Sequence, residues 1–224
     1  MHLFDRLLDL LYPPKCIFCR SLLERPEKGI CRKCSLSLPP DEAPERKSKF
    51  FDSCTACYEY SGVVRESVLR YKFKGASHYA EVYGKLLAVR LFENGLENYD
   101  LVTWVPVSKQ RKRRRGYDQA ELLARSVAKE LQLPVISTLE KLVDNTPQSH
   151  LATPAERQAN VRGVYQIADA GKVMGKQILL IDDIVTTGAT LSECGCVLAL
   201  AGATAVHCGA FAAAPQKLTK QVKK

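Results

Sequence analysis

Apolar positions along this chain fall into segments of alternating period. Phe51 to Tyr60 reads as a strand, expected at about 53–60, followed by two helices at about 62–73 and 77–94. Leu101-Val102-Thr103-Trp104-Val105 predicts a second strand. A helix is expected at about 117–131, with Leu122, Leu123, Ser126, Val127 and Leu131 inward and an outer i,i+4 pair of Glu121 with Arg125. A short strand near Val135 and a return strand from Val164 to Ile167 follow. Ile178-Leu179-Leu180-Ile181 has the unbroken apolar run of a buried strand, Leu191 to Ala201 reads as a helix, and a last strand is expected at about 204–211. Such alternation predicts an α/β fold with a parallel sheet and right-handed crossovers, flanked by helices. One stretch breaks the pattern. Residues 144–162 are polar and hold Thr146, Gln148, His150, Arg157, Asn160 and Arg162; a loop this long is a functional lid or a floppy hairpin.

The first fifty residues follow a different grammar. Leu3, Leu7, Leu8 and Leu11 share one helical face within Met1 to Tyr12, but Asp5, Arg6 and Asp9 interrupt it. A short amphipathic helix packed on the domain is expected, not a signal peptide. Asp41 to Lys49 is charged and proline-bearing and reads as a linker. The expected division is an appendage over 1–45 and a core domain over 46–224. At 224 residues and 46% hydrophobic the chain can build one sizeable core, and no apolar run reaches the roughly 18–20 residues that a membrane span needs. No membrane insertion is therefore expected.

Nine cysteines without an export signal point to a reducing, cytoplasmic compartment. Their spacing points to metal. Cys16 and Cys19, then Cys31 and Cys34, form two C-x2-C pairs eleven residues apart, which suits a closed tetrahedral zinc site. Four thiolates leave no open position, so such a zinc is structural; buried thiols or a redox pair are the alternative. Cys54 and Cys57 also have that spacing, but on a strand positions i and i+3 face opposite ways, so they should not share a metal. Cys194, Cys196 and Cys208 read as small apolar fillers.

The richest segment is Ile178 to Thr190. An apolar strand leads to Asp182 and Asp183, then to Thr186-Thr187-Gly188-Ala189-Thr190 and a helix. Ligands gather at the carboxyl ends of parallel strands, and a helix N-terminus attracts phosphate. The threonine hydroxyls donate, Gly188 lets the backbone approach, and the two acids can take a ribose diol or a hydrated magnesium. A ribose 5-phosphate fits that set. The run resembles the phosphoribosyl-pyrophosphate (PRPP) signature of type I phosphoribosyltransferases. An ordinary strand–turn–helix is the bland alternative.

With it stand the cysteine knuckle, Val105-Pro106-Val107 leading to Arg114-Arg115-Gly116-Tyr117-Asp118-Gln119-Ala120, Tyr71-Lys72-Phe73-Lys74-Gly75, and Thr146-Pro147-Gln148 with Glu156-Arg157 and Asn160-Val161-Arg162-Gly163. Over nearly its whole length the chain resembles the ComF family of competence-associated, phosphoribosyltransferase-like proteins, and the transferase domain of amidophosphoribosyltransferases. The resemblance implies a type I phosphoribosyltransferase core in which Val105 to Gly116 cradles pyrophosphate, through Ser108, Lys109, Arg114 and Arg115. It implies magnesium with PRPP, Asp182 and Asp183 as catalytic acids, and Gln148, Arg157 and Arg162 in a lid. The family often carries Phe-Asn-Gln where this chain has Tyr117-Asp118-Gln119.

Charge adds a second possibility. The net charge is +9, with Lys109, Arg111, Lys112, Arg113, Arg114 and Arg115 in one run and Lys217, Lys220, Lys223 and Lys224 in a basic tail. Such a balance favours polyanionic partners. Two functions stand side by side: transfer of a phosphoribosyl group from PRPP to an unidentified acceptor, and a non-catalytic adaptor binding single-stranded DNA. For the second, the resemblance implies DNA uptake, with a competence helicase or recombination mediator as partner.

Overall fold

The computed structural model describes residues 13–38, 46, 48–95, 98–145 and 153–215. The expected helix at Met1 to Tyr12, most of the linker, Thr146, Gln148, His150 and the basic tail lie outside these. In chain order the elements are α1 (Arg32–Ser37), β1 (Ser53–Glu59), α2 (Gly62–Phe73), α3 (Tyr79–Glu93), β2 (Leu101–Trp104), α4 (Lys109–Arg115), α5 (Gln119–Leu131), β3 (Leu139–Lys141), α6 (Pro154–Val161), β4 (Tyr165–Ile167), β5 (Gln177–Val185), α7 (Ala189–Leu200) and β6 (Ala205–Ala213).

Four strands form an all-parallel sheet in the order β1-β6-β5-β2, and Val135 extends it by an isolated parallel bridge to Val102. Central strands covered on both faces need apolar residues throughout; Ile178, Leu179, Leu180 and Ile181 are all fully buried. Leu179 and Ile181 join the cluster with α2, α3 and α5, whereas Ile178 and Leu180 join the one with α7. Cys54 and Cys57 divide between the same two clusters, as strand alternation requires. Above the sheet, β3 and β4 pair antiparallel into a small hood.

Three expectations need correction. The arginine run is a helix, not a loop: Ser108 caps α4 by accepting from the Arg111 amide at 3.2 Å. The polar stretch 144–162 contains α6, started by a capping box in which Thr153 and Glu156 exchange hydrogen bonds with each other's backbone. The inner face of α5 is Ala120, Leu123, Ala124, Val127 and Ala128, while Leu122, Ser126 and Leu131 are only half-buried. α3 crosses α5 closely at Gly84, where an added Cβ would lie 2.2 Å from Ser126 Oγ.

The cysteine segment packs into the main core. Ile17 and Phe18 are buried in the cluster that holds Tyr83, Leu87 and Phe211. Gly29 is at φ +74° with Val82 so close that a Cβ would lie 2.5 Å from Cγ2, so both backbone and packing demand glycine.

Candidate functional site

The site forms where β5 ends. The strand runs on through both acids to Val185, four residues beyond its apolar run, so Asp182 and Asp183 lie within the strand rather than at its end. Neighbouring strand positions face opposite ways. Asp183, 8% exposed, turns toward α2, where Lys72 Nζ sits 2.9 Å from its Oδ1. Asp182 accepts from the Asp183 amide at 2.8 Å, and its charge acts on Tyr165, Lys141 and Cys194 on the other side. Burial, then the adjacent Asp183, holds the Asp182 carboxyl well above the usual carboxylate range. Magnesium takes one or two carboxylates and otherwise keeps water or phosphate oxygens. Two acids on opposite faces of a strand fit an ion carried in by a pyrophosphate better than a resident one.

After Val185 the chain turns through Thr186 and Thr187, both exposed, to Gly188 at φ +77°. That left-handed residue is the N-cap of α7, five positions after Asp183. Thr187 Oγ1 accepts from the Ala189 amide at 3.4 Å; Ala189 and Thr190 are half-buried in the first turn. The first amides of a helix have no intrahelical acceptor, so this turn offers donors to an anion.

The basic segment splits by exposure. Lys109, Lys112, Arg113 and Arg114 are exposed. Arg115 turns inward: Nη1 donates to Gln119 Oε1 at 2.9 Å, and the guanidinium lies 4.9 Å over the exposed Phe73 ring. Ser108, besides capping α4, donates to Asp144 Oδ1 at 2.6 Å. Arg111 holds the same carboxylate at 3.2 Å and donates to the Asn145 carbonyl. The start of α4 is thereby tied to the segment just after β3. Of the residues expected in a lid, Arg157 is half-buried on α6, and Arg162 is exposed just after it.

Several residues at this site escaped the sequence reading. Lys72 lay within a quoted motif without an assigned role. Lys141 sits on the hood 5.4 Å over the Tyr165 ring; burial, then Arg111, brings its ammonium down to about 8. Asp118 proves structural. Buried at 4% exposure, it accepts from the Val107 amide at 3.0 Å and the Glu121 amide at 3.2 Å, capping α5 and pinning the loop after β2.

A second centre lies in the cysteine segment. The sulfurs of Cys16, Cys19, Cys31 and Cys34 all lie within 4.8 Å of one another, with Cys19 and Cys31 at 3.6 Å. Four sulfurs at about 2.3 Å from a tetrahedral zinc stand roughly 3.8 Å apart, so the set fits. Hydrogen bonds from Ser21 pull the Cys19 thiol down to about 6, while burial pushes Cys34 up.

The phosphoribosyl transferase domain family matches residues 114–224, and the double zinc ribbon domain family matches 7–47. The DNA utilization protein YhgH of Escherichia coli K12 is 25% identical over 86% of this chain and 87% of its own. Competence protein ComFC of Bacillus subtilis is 27% identical over 83% of this chain and 79% of its own. Competence protein F of Haemophilus influenzae is 22% identical over 80% and 88%. The chain is a homologue of these competence and DNA utilization proteins. It combines a type I phosphoribosyltransferase-like core with an N-terminal cysteine cluster of zinc-ribbon type. Among the described residues, no helix is long and apolar enough to cross a membrane.

Proposed function

We propose that this chain binds PRPP at the carboxyl end of β5 and transfers its phosphoribosyl group to an acceptor, in a role linked to DNA uptake. The observation that carries the reading is the strand end itself. There Asp182, Asp183 with Lys72, and a helix N-terminus begun by a left-handed glycine meet within nine residues of β5 and α7. We assign the 5′-phosphate to Thr186, Thr187, Gly188, Ala189 and Thr190, the ribose diol to the acids, and pyrophosphate to Ser108, Lys109, Arg114 and Arg115 ahead of α5. Segment 144–162 acts as the lid. In the reaction the acceptor's lone pair forms the bond to C1 while the C1–oxygen bond breaks, and pyrophosphate leaves with that electron pair. The chain's part is to hold C1 in line and to spread the leaving charge over cationic groups. Magnesium bound with PRPP would supply further charge neutralisation. A structural zinc belongs to the four cysteines.

The names of the relatives, competence and DNA utilization proteins, support the DNA link. Calorimetry tests the site. Asp183→Ala and Thr187→Ala should each weaken PRPP binding about tenfold or more, since a charged contact contributes roughly 1.5–3 kcal/mol. Unchanged affinity in both would refute it. Pyrophosphate release with candidate acceptors tests turnover.

A specific observation favours a second reading, a single-stranded-DNA adaptor that works with a helicase or recombination mediator. Lys109, Lys112, Arg113 and Gly116 line an open hollow of about 420 Å³. Replacing Arg113 and Arg114 together by alanine should flatten the salt dependence of single-strand binding by about one to two counterions. An unaltered slope would return the basic helix to a solvated surface.

A further inference from the structure

The cysteine knuckle reaches the acid site first through α2. Ile17 and Phe18 lie between the ligands Cys16 and Cys19, so a metal held by those thiolates fixes their backbone. Both carbonyls are gripped by α2. Ser67 Oγ donates to the Ile17 carbonyl at 2.6 Å, and Arg70 Nη2 donates to the Ile17 and Phe18 carbonyls at 2.7 and 2.8 Å. Ser67 has one hydroxyl hydrogen, already given to Ile17, so Tyr83 donates to it at 2.6 Å.

The residues that follow Arg70 on α2 belong to the site. Tyr71 packs edge-on against Tyr83 and donates to the Gln119 carbonyl at 2.7 Å. Lys72 holds Asp183. A second route runs beside the first. The Phe18 ring stacks on Phe211, whose neighbours Ala210 and Ala212 pair with Asp182 and Ile184 across the β5–β6 ladder. Each route passes through buried, hydrogen-bonded or stacked groups, which have few alternative arrangements.

We infer that the cysteine knuckle is a positioning element for the acid site: it fixes the last turn of α2 and thereby sets Lys72 against Asp183. Ser67 and Arg70 are the positioning residues. The inference rests on the PRPP reading for its ligand. Coupling of two binding events is reciprocal. If zinc at the knuckle tightens PRPP binding by some factor, PRPP tightens zinc retention by the same factor. Couplings of this kind are about 5- to 150-fold. A zinc site that only stabilised the fold would leave zinc retention indifferent to PRPP.

The test uses the zinc-loaded full chain and its variant Arg70→Met, which keeps all four cysteines and every acid-site side chain. Wild type should release zinc to a chelator several-fold less readily when PRPP is present. Arg70→Met should keep its zinc and bind PRPP about five- to tenfold more weakly, and its zinc retention should no longer respond to PRPP. Arg70→Lys, which restores one donor, should recover part of both effects. Wild-type affinity in Arg70→Met, or zinc retention in wild type that ignores PRPP, would overturn the inference. Hydrogen exchange separates its failure from that of the PRPP reading, because it needs no ligand. Chelation should speed exchange over 62–73 and at the end of β5. If chelation affected only 13–38, the knuckle would not position the site, whether or not PRPP binds.

Discussion

Lys141 shows how one residue at this site trades stability for charge. Burial is the main reason its ammonium falls to about 8; the Arg111 charge adds to the fall, and Asp144 and Asp182 oppose it. In the unfolded chain the same group titrates near its ordinary value of 10.5. Between those values the unfolded chain binds more protons, so this group makes stability rise with pH across that window. Below about 8 both states are charged, and the folded state carries the full penalty. Lys141→Met should therefore unfold at higher urea than wild type at pH 7, and the difference should shrink by pH 10. At the proposed site such a residue has a use, because a half-buried cation attracts anions. Equal midpoints at pH 7 would show that the Tyr165 ring and Asp144 already offset the cost.

At the scale of elements, type and order were legible in the sequence because period and strand chemistry set them. The fully apolar Ile178 to Ile181 could only be a buried strand, and the alternation of strands with helices forced a parallel sheet. Element ends were less legible. The extent of β5 through Asp182 and Asp183 depends on pairing with β6, which no local pattern records. The run at 109–115 has strong helix formers, but repulsion among its cations hides the helix until Ser108 and Arg111 are seen anchored to Asp144. Lys72 meets Asp183 across more than a hundred residues, beyond the reach of any spacing rule. Asp118, quoted in a motif beside the arginine run, is a helix cap. Its two oxygens satisfy two backbone donors, so Asp118→Ala should cost about 1–2 kcal/mol in urea denaturation. Asp118→Asn should cost less: it loses one acceptor but also removes a buried charge whose carboxyl burial raises. If the alanine variant matched wild type, water would have replaced both bonds.

At the scale of the whole molecule, the question is whether the cysteine segment and the sheet unfold as one. A boundary near residue 45 follows from composition, yet the structure buries Ile17 and Phe18 among residues of α2, α3 and β6. The Phe18 ring meets Tyr58 edge-on and stacks on Phe211, so the first lobe completes the core of the second. Core completion makes unfolding cooperative, because opening either part exposes apolar surface of both. Structural zinc sites bind with about 10–16 kcal/mol in small peptides. If chelation removed even about 3 kcal/mol of that from this chain, the melting temperature would fall by about 6–12 °C. We expect the fall to be shared. Far-ultraviolet signal and Trp104 fluorescence should shift together on chelation and stay superimposed, because Trp104 ends β2 on the far side of the sheet from β1. Cys31→Ser should reproduce the shift, whereas Cys54→Ala should leave zinc content unchanged, since Cys54 lies in the cluster on the other face. Two separated transitions, with only the earlier one sensitive to chelator, would mean that the knuckle melts off an independently stable sheet.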